Sequence, residues 1–257
     1  MTAELLEFAL WYIFPAAIFI FIAGATYRLL RYVFLFRRGV YVHRKTSAGH
    51  KVSGLIWTFL RSSVFSVKWN APEVVGGLIA LHVLGLILLV FLLAHHVAYL
   101  SYLFPPYGIL WPLALPINPI SSYLAYTTPQ SVVAEAGSIW GPLTIILNGD
   151  VLTAMALIGI TYKMVEKVYH KLRGTPHVRW GDLIIWPLLF TIVITGLLAT
   201  HHVFPGIETY RLILGLHIAS AALFLVLMPF TKLFHFVWNF WYGKLHEWYD
   251  LVVKRGA

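Results

Sequence analysis

Long apolar runs decide what this chain can fold into. Five of them, at about Phe8–Leu30, Val74–Tyr99, Ile139–Tyr162, Leu183–His202 and Tyr210–Lys232, approach or exceed the ~20 residues that carry a helix across a hydrocarbon core. Hydrocarbon offers no water to a peptide N–H or C=O, so each run must close its own hydrogen bonds as a helix. Only 11% of the 257 residues are charged, against about a quarter in a soluble domain. The expected fold class is an all-α membrane protein. It is a five-transmembrane-helix bundle forming one domain over residues 1–257, multi-pass in the cell (plasma) membrane.

The formal charge of +9 suits either nucleic acid or a membrane surface, and its distribution separates the two. All but one of the 19 Lys and Arg fall in three stretches, Arg28–Lys68, Lys163–Arg179 and Lys232 to the end; Arg211 is the exception. The loop Ser101–Gly141 has none. Basic stretches after the first, third and fifth runs predict an N-terminus outside and a C-terminus in the cytoplasm. A nucleic-acid footprint would not be split among three loops. Glu4 and Glu7 precede the first run where a signal peptide would be basic, so that run reads as a retained helix. The chain has no cysteine, which excludes disulfides, thiolate chemistry and cysteine-ligated iron–sulfur clusters within it.

Between the spans, Lys51–Lys68 mixes apolar and basic residues, as a helix on the inner membrane surface or a docking surface would. The outer loop, residues 101–138, is rich in proline and aromatics and reads as an ordered cap. The cytoplasmic tail, residues 233–257, is aromatic and amphipathic. It suits a partner protein or a membrane-surface helix anchored by Trp and Tyr.

There are 12 histidines. His43, His50, His170, His177 and His246 sit in basic inner segments and read as solvated. The other seven, His82, His95, His96, His201, His202, His217 and His235, lie in or at the ends of apolar runs. Polar side chains at that depth are costly and face a cavity, a partner or a cofactor. His217 and His235 are 18 residues apart, which on one helix returns to the same face about 27 Å further along. His82 and His96 are 14 apart, about 40° out of line and about 21 Å apart. Antiparallel helices then oppose His82 to His235 near the inner surface and His96 to His217 near the outer one. Such pairs can supply two axial ligands to each of two haem irons. Glycines 76, 77, 85 and 215 and alanines 219, 221 and 222 leave room for a macrocycle. Competing readings are interhelical hydrogen bonds or a proton relay for the histidines, and close helix packing for the small residues.

The block "RLILGLHIASAALFLVLMPFTKLFHFVW" resembles the last membrane helix of the di-haem cytochrome b (gamma) subunit of respiratory nitrate reductase. Relatives of that family include membrane cytochromes of heterodisulfide reductase and sulfite-reductase-associated complexes. The shared pattern is a His, an apolar run, Pro-Phe-Ser/Thr-Lys/Arg, then Leu-x-His. Here it is His217, then Pro229, Phe230, Thr231 and Lys232, then Leu233 and His235. The five-span layout and basic inner loops agree. The resemblance implies two haem b. His217 and His235 carry over directly as ligands, and His82 by its place in the second helix. The family's shorter spacing and single histidine on that helix depart from this chain, which has the doublets His95–His96 and His201–His202. The facing argument selects His96 for the outer iron.

The resemblance further implies a membrane-anchoring subunit that oxidises quinol, or a similar lipid-soluble carrier. Electrons then pass through the two haems to an iron–sulfur electron-transfer subunit and a reductase subunit at the cytoplasmic face. Quinol oxidation needs a proton acceptor with a pKa near the working pH. The quinol-site candidates are His95, Tyr99, His201, His202 and Glu208, with headgroup or water contact the alternative for His201 and His202. A competing class is a proton-conducting or transport protein that uses the histidines as a relay without haem. A third is an anchor subunit with no cofactor.

Overall fold

The computed structural model describes residues 2–37, 47–118, 139–175, 180–235 and 243–250, and their regular structure is helical, with no strand. Among the described residues four helices are long and apolar enough to cross a membrane: Glu4–Arg31, Glu73–Leu92, Leu183–Thr200 and Ile207–Phe230. Large apolar side chains such as Phe19, Ile22, Val75, Phe91, Ile184 and Leu223 are exposed along them. A protein in water would bury these, whereas lipid tails solvate them. The chain divides into two compact units. One comprises Met1–Pro15 with Pro72–Ser220, and the other Ala16–Ala71 with Ala221–Ala257.

The first unit begins with α1 (Thr2–Phe8), which passes through a π turn at Ala9–Ile13. The second expected span differs from one straight helix over 74–99. It is a wide π-helical segment, Glu73–Leu88, then α4 (Leu89–Leu92), and the path breaks at Leu93, whose φ of −60° and ψ of 134° are extended. The α5 helix (Ala94–Leu103) follows. At the break the Ala94 N–H donates to the Leu115 carbonyl (2.9 Å) and the Leu115 N–H to the Leu92 carbonyl (2.7 Å). A buried peptide group needs a partner, so the break exists because the outer loop returns to fill it. Apolar periodicity within 74–99 carries no sign of that distant donor.

The described part of the outer loop returns to the break at Leu93. Pro105–Leu113 forms a 3₁₀ helix, and Ala114 and Leu115 are fully buried. The Trp140 indole N–H donates to the Leu113 carbonyl (2.8 Å), tying the far end of the loop to its start. Residues 119–138 of the expected cap lie outside the described residues.

The third expected span, 139–162, is shifted. Gly141–Ile145 is a 3₁₀ turn, and the α-helix, α6, runs Gly149–Leu172. The reason is a cap. Buried Asn148 accepts from the N–H groups of Asp150 and Val151, closing the helix start ten residues later than hydropathy suggests. Gly149 is required there, because a Cβ would strike the Ile117 carbonyl. At 24 residues α6 is about 36 Å long, enough to cross a bilayer. Its C-terminal half carries Lys163, Glu166, Lys167 and Lys171, which removes it from the set of helices apolar enough to do so on composition. It packs backbone to backbone on the π segment. A Cβ on Gly85 would lie 2.8 Å from Ala156, and one on Gly159 would lie 2.7 Å from Leu81. The first unit continues with α7 (Trp180–Thr200) and the start of α8 (Ile207–Leu227).

In the second unit, most of α2 (Phe14–Arg37) and α3 (Ala48–Trp69) are present with the end of the last span and the short α9 (Gly243–Trp248). The last span was expected to stay helical to Lys232 and hold His217 and His235 on one face. Instead α8 ends at Leu227. Two 3₁₀ turns follow, Met228–Phe230 and Lys232–Phe234, separated by extended Thr231. Pro229 lacks the N–H that would continue the ladder. The Pro229 carbonyl accepts instead from the Arg28 guanidinium (2.7 Å), which also lies over the Phe234 ring at 5.2 Å. Gly24 makes room, since a Cβ there would meet the Pro229 ring at 2.8 Å. Five-turn face counting therefore does not apply between His217 and His235. The same holds between His82 and His96, where a π segment and a break intervene.

Candidate functional site

In the first unit, the His96 and His217 rings lie nearly parallel, with centroids 6.4 Å apart and planes 7° from parallel. The break at Leu93 is what orients His96. Ala94 gives its N–H to Leu115, so the Val90 carbonyl loses its ordinary helical donor. The His96 Nδ1 takes that role, 3.0 Å from the Val90 carbonyl and 3.1 Å from that of Leu89. The His217 Nδ1 lies 2.8 Å from the Ile192 carbonyl on α7. One helical turn further on, Gly196 admits the ring, since a Cβ there would sit 2.9 Å from His217 Cε1.

These contacts fix the tautomer. A carbonyl only accepts, so Nδ1 carries the proton and the lone pair is on Nε2. Histidines that ligate metals are held in this way by a partner on the other ring nitrogen. With their planes nearly parallel and Nδ1 of each held on a carbonyl, His96 and His217 are the residues that would hold a haem group in this unit.

His82 and His235 share the device. The His82 Nδ1 donates to the Gly77 carbonyl, one π turn earlier. The His235 Nδ1 donates to the Lys232 carbonyl (2.9 Å), on a turn that Thr231 caps through the Leu233 N–H. His82 belongs to the first unit and His235 to the second. All four expected ligands thus hold Nδ1 on a backbone carbonyl. Among the described residues no three His, Cys, Asp or Glu side chains converge as a metal site, and a haem iron asks the protein for no more than two ligands.

The five quinol-site candidates separate. His95 is exposed and rests edge-on against His96, with centroids 4.1 Å apart. The Tyr99 hydroxyl donates to the Leu10 carbonyl and its ring packs on Trp11 and Phe14, which makes it a strut. Glu208 pairs with Arg211 at 3.0 Å on the surface. His202 closes α7 with a φ of +47°. Its N–H reaches the Ala199 carbonyl while the Val203 N–H reaches Leu198, the Schellman pattern in which glycine is usual. Its ring stacks on Tyr210 at 4.6 Å. His201 alone of the five meets a carboxylate on another helix. Its Nε2 is 2.7 Å from Asp150 Oδ1.

Two groups escaped sequence reasoning. Asp150 was hidden inside an expected span, and its signal was the preceding Asn-Gly, a helix start. The other is an ion triad in which Lys163 Nζ donates to Glu166 (2.7 Å) and to Glu73. Lys163 is about one-tenth exposed. An (i, i+3) Lys–Glu pair was legible; the partner 90 residues away was not.

No family model, curated protein or solved structure matches this chain.

Proposed function

We propose that this chain is a membrane-anchoring di-haem cytochrome b subunit, similar to the nitrate reductase gamma family, that oxidises a quinol or similar lipid-soluble carrier. The observation that carries the reading is the parallel pair His96–His217, each ring held on a backbone carbonyl through Nδ1. His96 and His217 hold the outer haem. His82 and His235 each hold the same tautomer, and the resemblance makes each of them a haem ligand.

Bound haem supplies a one-electron carrier at each site, the iron alternating between ferric and ferrous. The protein residues orient the ligands, exclude water with apolar helices and accept the protons that quinol releases. The chain has no cysteine, so an iron–sulfur subunit and a reductase subunit receive the electrons at the cytoplasmic face. Five spans, counting α6 with the four apolar helices, leave the N-terminus outside and the basic segments inside the plasma membrane.

The test is a reduced-minus-oxidised and pyridine haemochrome spectrum of the purified chain. It should show b-type haem at about two per chain. A folded but colourless preparation would return the histidines to the proton-relay reading.

A further inference from the structure

Asp150 and His201 come from different helices, 51 residues apart, and meet at 2.7 Å. Asp150 stands in the first turn of α6, where the helix dipole and the Asn148 cap favour a carboxylate. His201 is the first residue past α7, held by its N–H on the Leu197 carbonyl. A carboxylate accepts, so the His201 Nε2 carries the proton and its Nδ1 has the lone pair. No described group takes that Nδ1, and the side chains are 40% and 30% exposed. A histidine with one nitrogen on a carboxylate and the other open is built as a proton acceptor, since the carboxylate stabilises the imidazolium that forms.

The surroundings name the substrate class. On the α6 side Ile145 and Ile146 precede the dyad with their side chains exposed, and on the α7 side Val203, Phe204 and Ile207 follow it, also exposed. One polar acceptor between apolar stretches suits a molecule with an apolar body and an acidic hydroxyl. Gly196, against which the His217 ring rests, lies about 7.5 Å along the same helix from His201.

We infer that the Asp150–His201 dyad is the group that deprotonates the hydroquinone, with His201 as the acceptor and Asp150 as its positioning residue. This rests on the function proposed above. The O–H bond of the hydroquinone breaks, its proton goes to His201 Nδ1 and its electron pair stays on oxygen. In the complete reaction the hydroquinone gives two protons to the outer aqueous phase and two electrons to two ferric haem irons, and becomes quinone.

The experiment uses the full chain in lipid nanodiscs, with a short-chain alkyl benzohydroquinone as the probe and stopped-flow absorbance of the b haems as the signal. His201→Gln is expected to slow hydroquinone-driven reduction about 100-fold. Its haem content and its reduction by dithionite stay unchanged. Asp150→Asn slows it less, and Asp150→Glu restores it. A second readout needs no turnover. Nitrogen-15 shifts of labelled histidine should show His201 protonated at Nε2, and Asp150→Asn should release that tautomer. Wild-type rates in either His201→Gln or Asp150→Asn, with haem intact, overturn the dyad while the cytochrome stands. A haem-loaded wild-type chain that hydroquinone cannot reduce overturns the quinol reading and the dyad together.

Discussion

A histidine is readied as a ligand by what holds its other nitrogen, and in the four proposed ligands that holder is a backbone carbonyl. In His96 and His217 the carbonyls belong to Leu89, Val90 and Ile192. Replacing His217 with Ala should lower haem from about two per chain to about one, read as pyridine haemochrome per protein. Gly196→Ala tests the same site from behind. Its Cβ would press on His217 Cε1 from 2.9 Å, so the variant should lose or shift the outer haem spectrum and leave the inner one. The residue types were legible in the sequence, because an imidazole in an apolar run is expensive. Counting along the helix chose His96 among His95, His96, His201 and His202, but it could not show which carbonyl or carboxylate the His96 and His201 rings reach.

At the scale of elements, α6 and the π segment Glu73–Leu88 are joined by small residues and by one ion triad. Lys163→Met removes the cation and leaves Glu73 and Glu166 facing each other, which should cost about 1–3 kcal/mol, read as a lowered thermal midpoint. Helix existence was legible from hydropathy, and helix ends were not. The start of α6 is set by Asn148, the break at Leu93 by Leu115, and the end of α8 by Pro229 with Arg28 on its carbonyl.

Over the whole molecule, the absence of cysteine makes the proposed orientation testable with single introduced thiols. Ser101→Cys should react with a membrane-impermeant maleimide in intact cells. Ser53→Cys should react only after permeabilisation. The reverse pattern would invert the topology. Four apolar helices suffice for a membrane protein, and labelling on opposite sides by these two positions requires an odd number of crossings between them.

Hydropathy and backbone hydrogen-bond demand act locally and need no partner, so the solvent of this protein and its helical class are written in its residues. The sequence also marked the histidines and the basic stretches. Where the helices break and which rings meet emerge from the folded chain. Those outcomes depend on donors and acceptors that arrive from far along the chain, as Leu115 does for Ala94, Ile192 for His217 and Asp150 for His201.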